Sequence, residues 1–237
     1  MIINCDVAEG IGNEEEIFPC IQWANLACGG HAGDEYTISN AMQLAKQFNV
    51  QIGLHPSYPD KENFGRKSMA ISKEKLEQSL LQQLNFGVNL ALKNGVEVKH
   101  IKPHGALYND VAFDDSLINT FLNVIEQLNK SWIIVGLSES LMLQQAIKRG
   151  LKVSHEVFAD RRYNANKTLV SRATVGAVIT NEKDMLLQAQ NFKQNKPIKT
   201  LQQTFINLPA DTICLHGDGV NAVKFAKVLH KLMVYEK

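Results

Sequence analysis

The chain has 237 residues, 45% of them hydrophobic and 21% charged, which is ample for a sizeable core. Its 25 basic and 24 acidic residues leave no global field to attract nucleic acid or an anionic membrane, and no basic run is interleaved with aromatics. No apolar run approaches the roughly 18 residues that span a bilayer, and Met1–Asp6 enters a strand pattern without the basic region of a signal peptide, so a cytoplasmic protein is expected.

Strand-like runs alternate with helical ones along the whole chain. The strands are expected at Ile2–Asp6, Ala24–Cys28, Val50–His55, Val96–Lys102, Trp132–Leu137, Leu151–Val157 and Thr212–His216. Helical patterns lie between them at about 35–49, 72–94, 115–129, 139–149, 183–194 and 220–232. The clearest is 72–94, with Ser72 as N-cap, apolar residues from Leu76 to Ala91 at helical spacing, and Asn94-Gly95 as a stop. Ser138 is a weaker start signal and Gly150 a usable stop. This alternation, without a composition break, predicts one parallel-sheet domain over residues 1–237, either doubly wound or a (β/α) barrel. Both the dinucleotide fingerprint and the phosphate-binding P-loop are missing. Polar strand ends spread along the whole chain favour the barrel over a single switch point.

The strand ends carry the chemistry. Strand one ends Asn4-Cys5-Asp6 followed by Glu9, with Asn4 and Asp6 on one face. Strand two leads to Gly29-Gly30-His31, whose glycines permit close approach, and Asp34 is placed to cap the next helix. Strand three ends at His55 and opens an overlong connection, 56–71, which suits a substrate loop carrying Arg66 and Lys67. Strand four presents His100, Lys102 and, past Pro103, His104 on one parity. Strand six leads to Asp160-Arg161, an ion pair that can orient a site, and the same connection continues through Thr168 to Arg172. The last strand gives His216 and Asp218 between glycines that can offer N–H groups to an anion. Only His230 of the seven histidines lies in a helical stretch. The four cysteines lack metal-type spacing and read as reduced, structural thiols, with Cys5, Cys28 and Cys214 in apolar strand-like runs.

These blocks, above all Lys102-Pro103-His104-Gly105-Ala106-Leu107-Tyr108-Asn109 and Glu156-Val157-Phe158-Ala159-Asp160-Arg161, resemble the LamB/YcsF family, associated with the A subunit of 5-oxoprolinase. Ala8, Ser57, Asn63, Lys67 and Gly219 depart from the family pattern, all in loops. The resemblance implies a seven-stranded (β/α) barrel, TIM-barrel-like, of the glycoside hydrolase/deacetylase type. It also implies ATP-dependent opening of 5-oxoproline to glutamate, with ATP and Mg2+ as co-substrate and with partner subunits B and C. A five-membered lactam is a poor electrophile, so its hydrolysis calls for an activated carbonyl, a base for water, and cations or N–H dipoles for the oxyanion. Asp6 and His55 or His104 are accordingly assigned base work, and Lys102 the charge on the amide oxygen or transferring phosphate. Arg66 or Arg161 would hold a carboxylate or the nucleotide, and Glu9, His31, Asn109, Asp160, His216 and Asp218 would complete the binding rim. Lys102→Met is expected to abolish turnover in the assembled complex and leave folding intact.

Two rival readings use the same residues. Asp6, His31, His55, His104 and His216 are suitable ligands for a metal-dependent amidase or deacetylase, converging from separate strands. Alternatively, the chain is a non-catalytic binding subunit of a multi-subunit enzyme.

Overall fold

The computed structural model describes residues 1–234. Seven parallel strands form a closed barrel: β1 (Ile2–Val7), β2 (Trp23–Ala27), β3 (Gln51–His55), β4 (Val98–Ile101), β5 (Ile133–Leu137), β6 (Lys152–Phe158) and β9 (Thr212–His216). Neighbours in the barrel are neighbours in sequence up to β6, and β9 closes the ring by pairing with both β6 and β1. The expected strands are all present, with ends within two residues of those read from the sequence. Strand four is the shortest of the barrel; Lys102 lies just past it, yet its N–H still donates to the Leu54 carbonyl at 3.0 Å.

The long expected helices are also present: α2 (Glu35–Phe48), α3 (Lys73–Lys93), α5 (Asp115–Leu128), α6 (Leu141–Lys148), α7 (Glu182–Lys193) and α8 (Ala222–Val234). Asp34 caps α2 in a reciprocal box with Thr37, and Ser72 caps α3. The start of α6 differs from the sequence reading. Ser140 is its N-cap, while Ser138 donates its hydroxyl to the Pro209 carbonyl. Short elements escaped the sequence reading because they span too few residues to show a period: α1 (Glu14–Ile17), a 3-10 turn at Phe18–Cys20, α4 (Gly105–Asp110), and an antiparallel ribbon of β7 (Ile198–Lys199) and β8 (Phe205–Ile206). No helix among the described residues is long and apolar enough to cross a membrane.

Two faces of each strand meet two different environments. Ile3, Leu26, Ile52, Leu54, Ile101, Ile134, Val157 and Ile213 are buried in the apolar layer, where burying an aliphatic side chain contributes about 1.5–3 kcal/mol each. Gly87 lets α3 approach the barrel so closely that a Cβ there would stand 2.4 Å from Leu54 Cδ2. The alternate positions carry Asn4, Asp6, Asn25, His100, Glu156 and Thr212, all buried and joined across the barrel by side-chain hydrogen bonds. A barrel interior is more often filled by layers of branched aliphatics. Here it is a polar network, which is tolerable because its donors and acceptors largely satisfy one another.

Gly53 is the fitting constraint at the centre of that network. A Cβ on it would lie 2.2 Å from the His100 ring, which stacks on Trp23 at 4.6 Å and sits 2.8 Å from Asn25 Oδ1. Gly53→Ala should therefore displace His100 and destabilise the protein by about 1–3 kcal/mol. Denaturant unfolding would show it, and an unchanged midpoint would contradict this packing.

Candidate active site

At the centre of the barrel mouth lies Lys102, 2% exposed. Its Nζ is 2.8 Å from Asp6 Oδ1, 3.0 Å from Glu156 Oε1 and 3.1 Å from Cys214 Sγ. The aromatic faces of Phe158 and Tyr108 lie 5.5 and 6.0 Å away. Burial favours the neutral amine, but Asp6, Cys214 and Glu156 more than reverse this and hold the ammonium well above its ordinary value. Burial likewise pushes Asp6 up, and His55 and Lys102 overcome it, so Asp6 stays well below the usual carboxylate range. Asn25 Nδ2 donates to the same Asp6 oxygen at 2.8 Å, fixing the carboxylate in place. Because the ammonium's donors are met by protein acceptors, Lys102 serves first to keep Asp6 ionised and aimed. Cys214, which the sequence suggested as an apolar filler, instead touches this ammonium; all four cysteines are free and buried.

A wall of imidazoles stands beside Asp6. His55 Nδ1 donates to the Lys102 carbonyl at 2.7 Å, and its Nε2 lies 3.3 Å from Asp6 Oδ2 and 2.9 Å from His104 Nδ1. His104 Nε2 donates to the Phe64 carbonyl at 2.9 Å, in the long 56–71 loop. His31 stacks on His104, with ring centroids 3.6 Å apart and planes within 1°. Its Nε2 is 3.0 Å from Glu9 Oε1, which lies 3.4 Å from His104 Nδ1. Burial and the neighbouring imidazoles depress His104 well below its ordinary value, and burial with His55 takes His31 down to about 2. Burial, with Asp6 next, raises Glu9 to about 7. Gly30 makes room for Gln83 and Ser57, not for a ligand: a Cβ there would stand 2.2 Å from Gln83 Oε1 and 2.5 Å from Ser57 Oγ. Ala8, at φ +59, adopts the left-handed backbone that glycine enters without strain.

The rim is cationic. Arg66 crosses the mouth from the 56–71 loop to pair with Asp218, while Lys67 is exposed and lies away from the cavity. Arg161 is buried, donates to the Val170 carbonyl at 2.6 Å, and leaves its Nε without a partner among the described residues. Burial and the nearby Arg172 lower Arg161 to about 10. Asp160 does not pair with Arg161, as adjacency in sequence suggested, but with His216, whose Nδ1 is 3.0 Å from Asp160 Oδ1. The reason is direction: consecutive residues leave a strand end on opposite sides. Burial pushes Asp160 up, and His216 reverses it, holding the carboxyl below its ordinary value. Gly217 and Gly219 do not open a helix directly, since α8 begins only at Ala222.

These side chains border a cavity of about 500 Å³, within the ~300–1,000 Å³ of small-molecule sites. Of the residues singled out in the sequence, Asp6, His55, Lys102 and His104 line it, as do Arg66, Asn109, Arg161 and His216. Asn109 is exposed at the edge, its amide donating to the Gly105 carbonyl at 3.1 Å. Glu9, His31, Asp160 and Asp218 stand one layer behind, each against a lining side chain or its partner. His155 lies off the site, its Nδ1 accepting from the Glu139 N–H at 3.3 Å. Sequence reasoning did not single out Glu156, Asn25 or Arg172. Glu156 shares the parity of Ser154 and Phe158, the only signal that it enters the barrel.

Removing Lys102 would leave Asp6 and Glu156 buried without their counter-charge. Lys102→Met should therefore destabilise the fold by about 3–5 kcal/mol, contrary to the sequence-based expectation that folding stays intact. Adding Glu156→Gln should recover part of that loss in denaturant unfolding. A Lys102→Met protein as stable as wild type would contradict the assignment of charge.

The family model for the LamB/YcsF family matches residues 1–237. A protein of Thermococcus sibiricus, named as the A subunit of 5-oxoprolinase, is 40% identical over 239 residues, covering 99% of this chain and 94% of its own. A protein of the same name from Staphylococcus saprophyticus is 36% identical, covering 99% of this chain and 95% of its own. The crystal structure of a lactam utilization protein from Thermus thermophilus superposes with TM-score 0.91 at 30% identity, over 98% of this chain and 95% of that one. With its barrel, its strand-end blocks and these relatives in agreement, the chain belongs to the LamB/YcsF family.

Proposed function

We propose that this chain is the ring-opening subunit of a cytoplasmic, ATP-dependent 5-oxoprolinase, converting 5-oxo-L-proline to L-glutamate together with partner subunits B and C. The observation that carries this reading is the pairing of two features in one cavity: a base-bearing floor of Asp6, His55 and His104, and a wall of Arg66, Arg161 and Arg172. The names of the relatives agree with it.

The substrate carries a carboxylate and a lactam, and the cavity offers a complement to each. Arg161, with an unpartnered Nε and with Arg172 close by, takes the carboxylate or a phosphoryl group by charge-assisted hydrogen bonds. ATP, with Mg2+, would transfer its γ-phosphoryl group to the lactam oxygen and release ADP; no P-loop is present in this sequence to hold the nucleotide in the usual way. Water then attacks the carbonyl carbon as the His55–His104 pair, whose facing nitrogens lie 2.9 Å apart, accepts one proton, and the Asp6 carboxylate, kept ionised by Lys102, stabilises the charge that forms beside it. The ring C–N bond breaks as the tetrahedral intermediate collapses, leaving an acyl phosphate that a second water hydrolyses to glutamate and inorganic phosphate. The nitrogen takes a proton from His216, which Asp160 orients.

Mixing this chain with its partner subunits, 5-oxoproline and ATP tests the proposal. Glutamate and ADP should form together. Asp6→Asn should lower turnover by about 100-fold or more, and Arg161→Met should act mainly by raising KM. Glutamate formation and 5-oxoproline-dependent ATP hydrolysis that survive omission of this chain would show it to be a non-catalytic subunit.

A further inference from the structure

We infer that Arg161 and Arg172, with Ser171 beside them, form a subsite for a tetrahedral dianion, a phosphoryl group or inorganic phosphate, on the wall of the cavity. The inference deepens the proposed reaction and rests on it for the source of the phosphoryl group; the subsite itself stands on this chain's own residues.

Arg161 supplies the first argument. It is 6% exposed, yet its side chain makes one hydrogen bond among the described residues, from Nη2 to the Val170 carbonyl at 2.6 Å. A guanidinium carries five N–H donors and a permanent charge, and here the Nε donor is buried without a partner among the described residues. No carboxylate forms an ion pair with it among those residues; adjacent Asp160 is turned to His216 at 3.0 Å. A buried charge in that state is costly, so the arrangement calls for an anion from outside. Arg172 adds a second cation on the same wall, near enough to act with burial in lowering Arg161 to about 10.

The wall is held in place from behind. Antiparallel bridges join Arg161 to Val178 and Tyr163 to Leu169, and the Val170 N–H donates to the Arg162 carbonyl at 3.0 Å. Gln188 Nε2 donates to the Arg161 carbonyl at 2.8 Å, and the hydroxyl of buried Tyr163 accepts from the Phe158 N–H at 2.9 Å. The backbone of Arg161 is therefore fixed before a ligand arrives, which lowers the ordering cost of binding.

Charge decides between the anions. Arg66, the third arginine at the cavity, is already paired with Asp218. Asp160 and Asp218 feel Arg172 at longer range, but each has a closer partner, His216 and Arg66 respectively. The unpaired positive charge of the rim is thus gathered on Arg161 and Arg172. A phosphate monoester carries about −1.5 to −2 charges at pH 7, whereas a carboxylate carries one. Two guanidinium forks match the former, both in charge and in the number of oxygens they can meet. Ser171, exposed on the same wall, offers a hydroxyl to a further oxygen.

The test is anion binding to the isolated full chain by calorimetry, without turnover, so failure of the lactam reading would leave its outcome untouched. Inorganic phosphate and methyl phosphate should bind at least about 10-fold more tightly than acetate and dimethyl phosphate, which carry a single charge. Arg172→Met, a change at an exposed position, should weaken methyl phosphate binding by about 10-fold or more. Arg161→Met, checked for folding by circular dichroism, should do the same, and Arg161→Lys, which keeps the charge but loses the fork, should retain only part of the affinity. Lys130→Met, at a residue that does not line the cavity, should bind as wild type does. A non-hydrolysable ATP analogue that competes with methyl phosphate would support the subsite and identify its occupant as the γ-phosphoryl group. Methyl phosphate binding that the analogue leaves unchanged would support it with the phosphorylated intermediate or released phosphate as occupant. Methyl phosphate bound no more tightly than acetate would overturn the inference. Affinity undiminished in both Arg172→Met and Arg161→Met would overturn it equally.

Discussion

One ammonium group sets the character of this molecule. Lys102 lies at the axis of a closed barrel, between Asp6 from the first strand and Glu156 from the sixth. An isolated charge in such a place would be neutralised by a pKa shift, and two unpaired carboxylates would fare no better. Together they are stable only because the strands bring them within 3 Å and because Asn4 donates to Glu156 and Asn25 to Asp6. The barrel interior therefore acts as a rigid electrostatic frame, and it is this frame that gives Asp6 its low proton affinity.

The frame explains why the site is built in layers. His55 reads the position of Lys102 directly, through the carbonyl that fixes its tautomer. His104 is tied to the 56–71 loop through the Phe64 carbonyl, and that loop carries Arg66 across to Asp218. Floor and rim are thus connected by a short chain of hydrogen bonds. The loop that carries Arg66 across the mouth thus also orients the His104 imidazole beside His55.

Much of this was legible in the sequence because strand periodicity is a strong signal. Alternation placed Asn4 with Asp6 and His100 with Lys102, and the structure puts all four on the interior side. What could not be read were contacts between side chains far apart in the chain. Glu156 meets Lys102 only because β6 closes against β9 and β9 against β1. Asp160 looked like the partner of its neighbour Arg161, while its real partner, His216, is supplied by another strand. Arg172 lies in a long connection with no periodicity, so only the folded cavity reveals it. The short helix α4 was hidden for a related reason: six residues following a proline give too little pattern to distinguish a helix from a turn.

The central claim is electrostatic, that a buried cation and its neighbours keep Asp6 ionised at the base of the cavity. A carbon-detected NMR titration of the Asp6 carboxyl measures this without reference to substrate or partners. The account predicts that its resonance keeps the ionised shift as the pH falls well below the ordinary aspartate midpoint of about 3.9. An Asp6 that takes up its proton at or above that pH would contradict it.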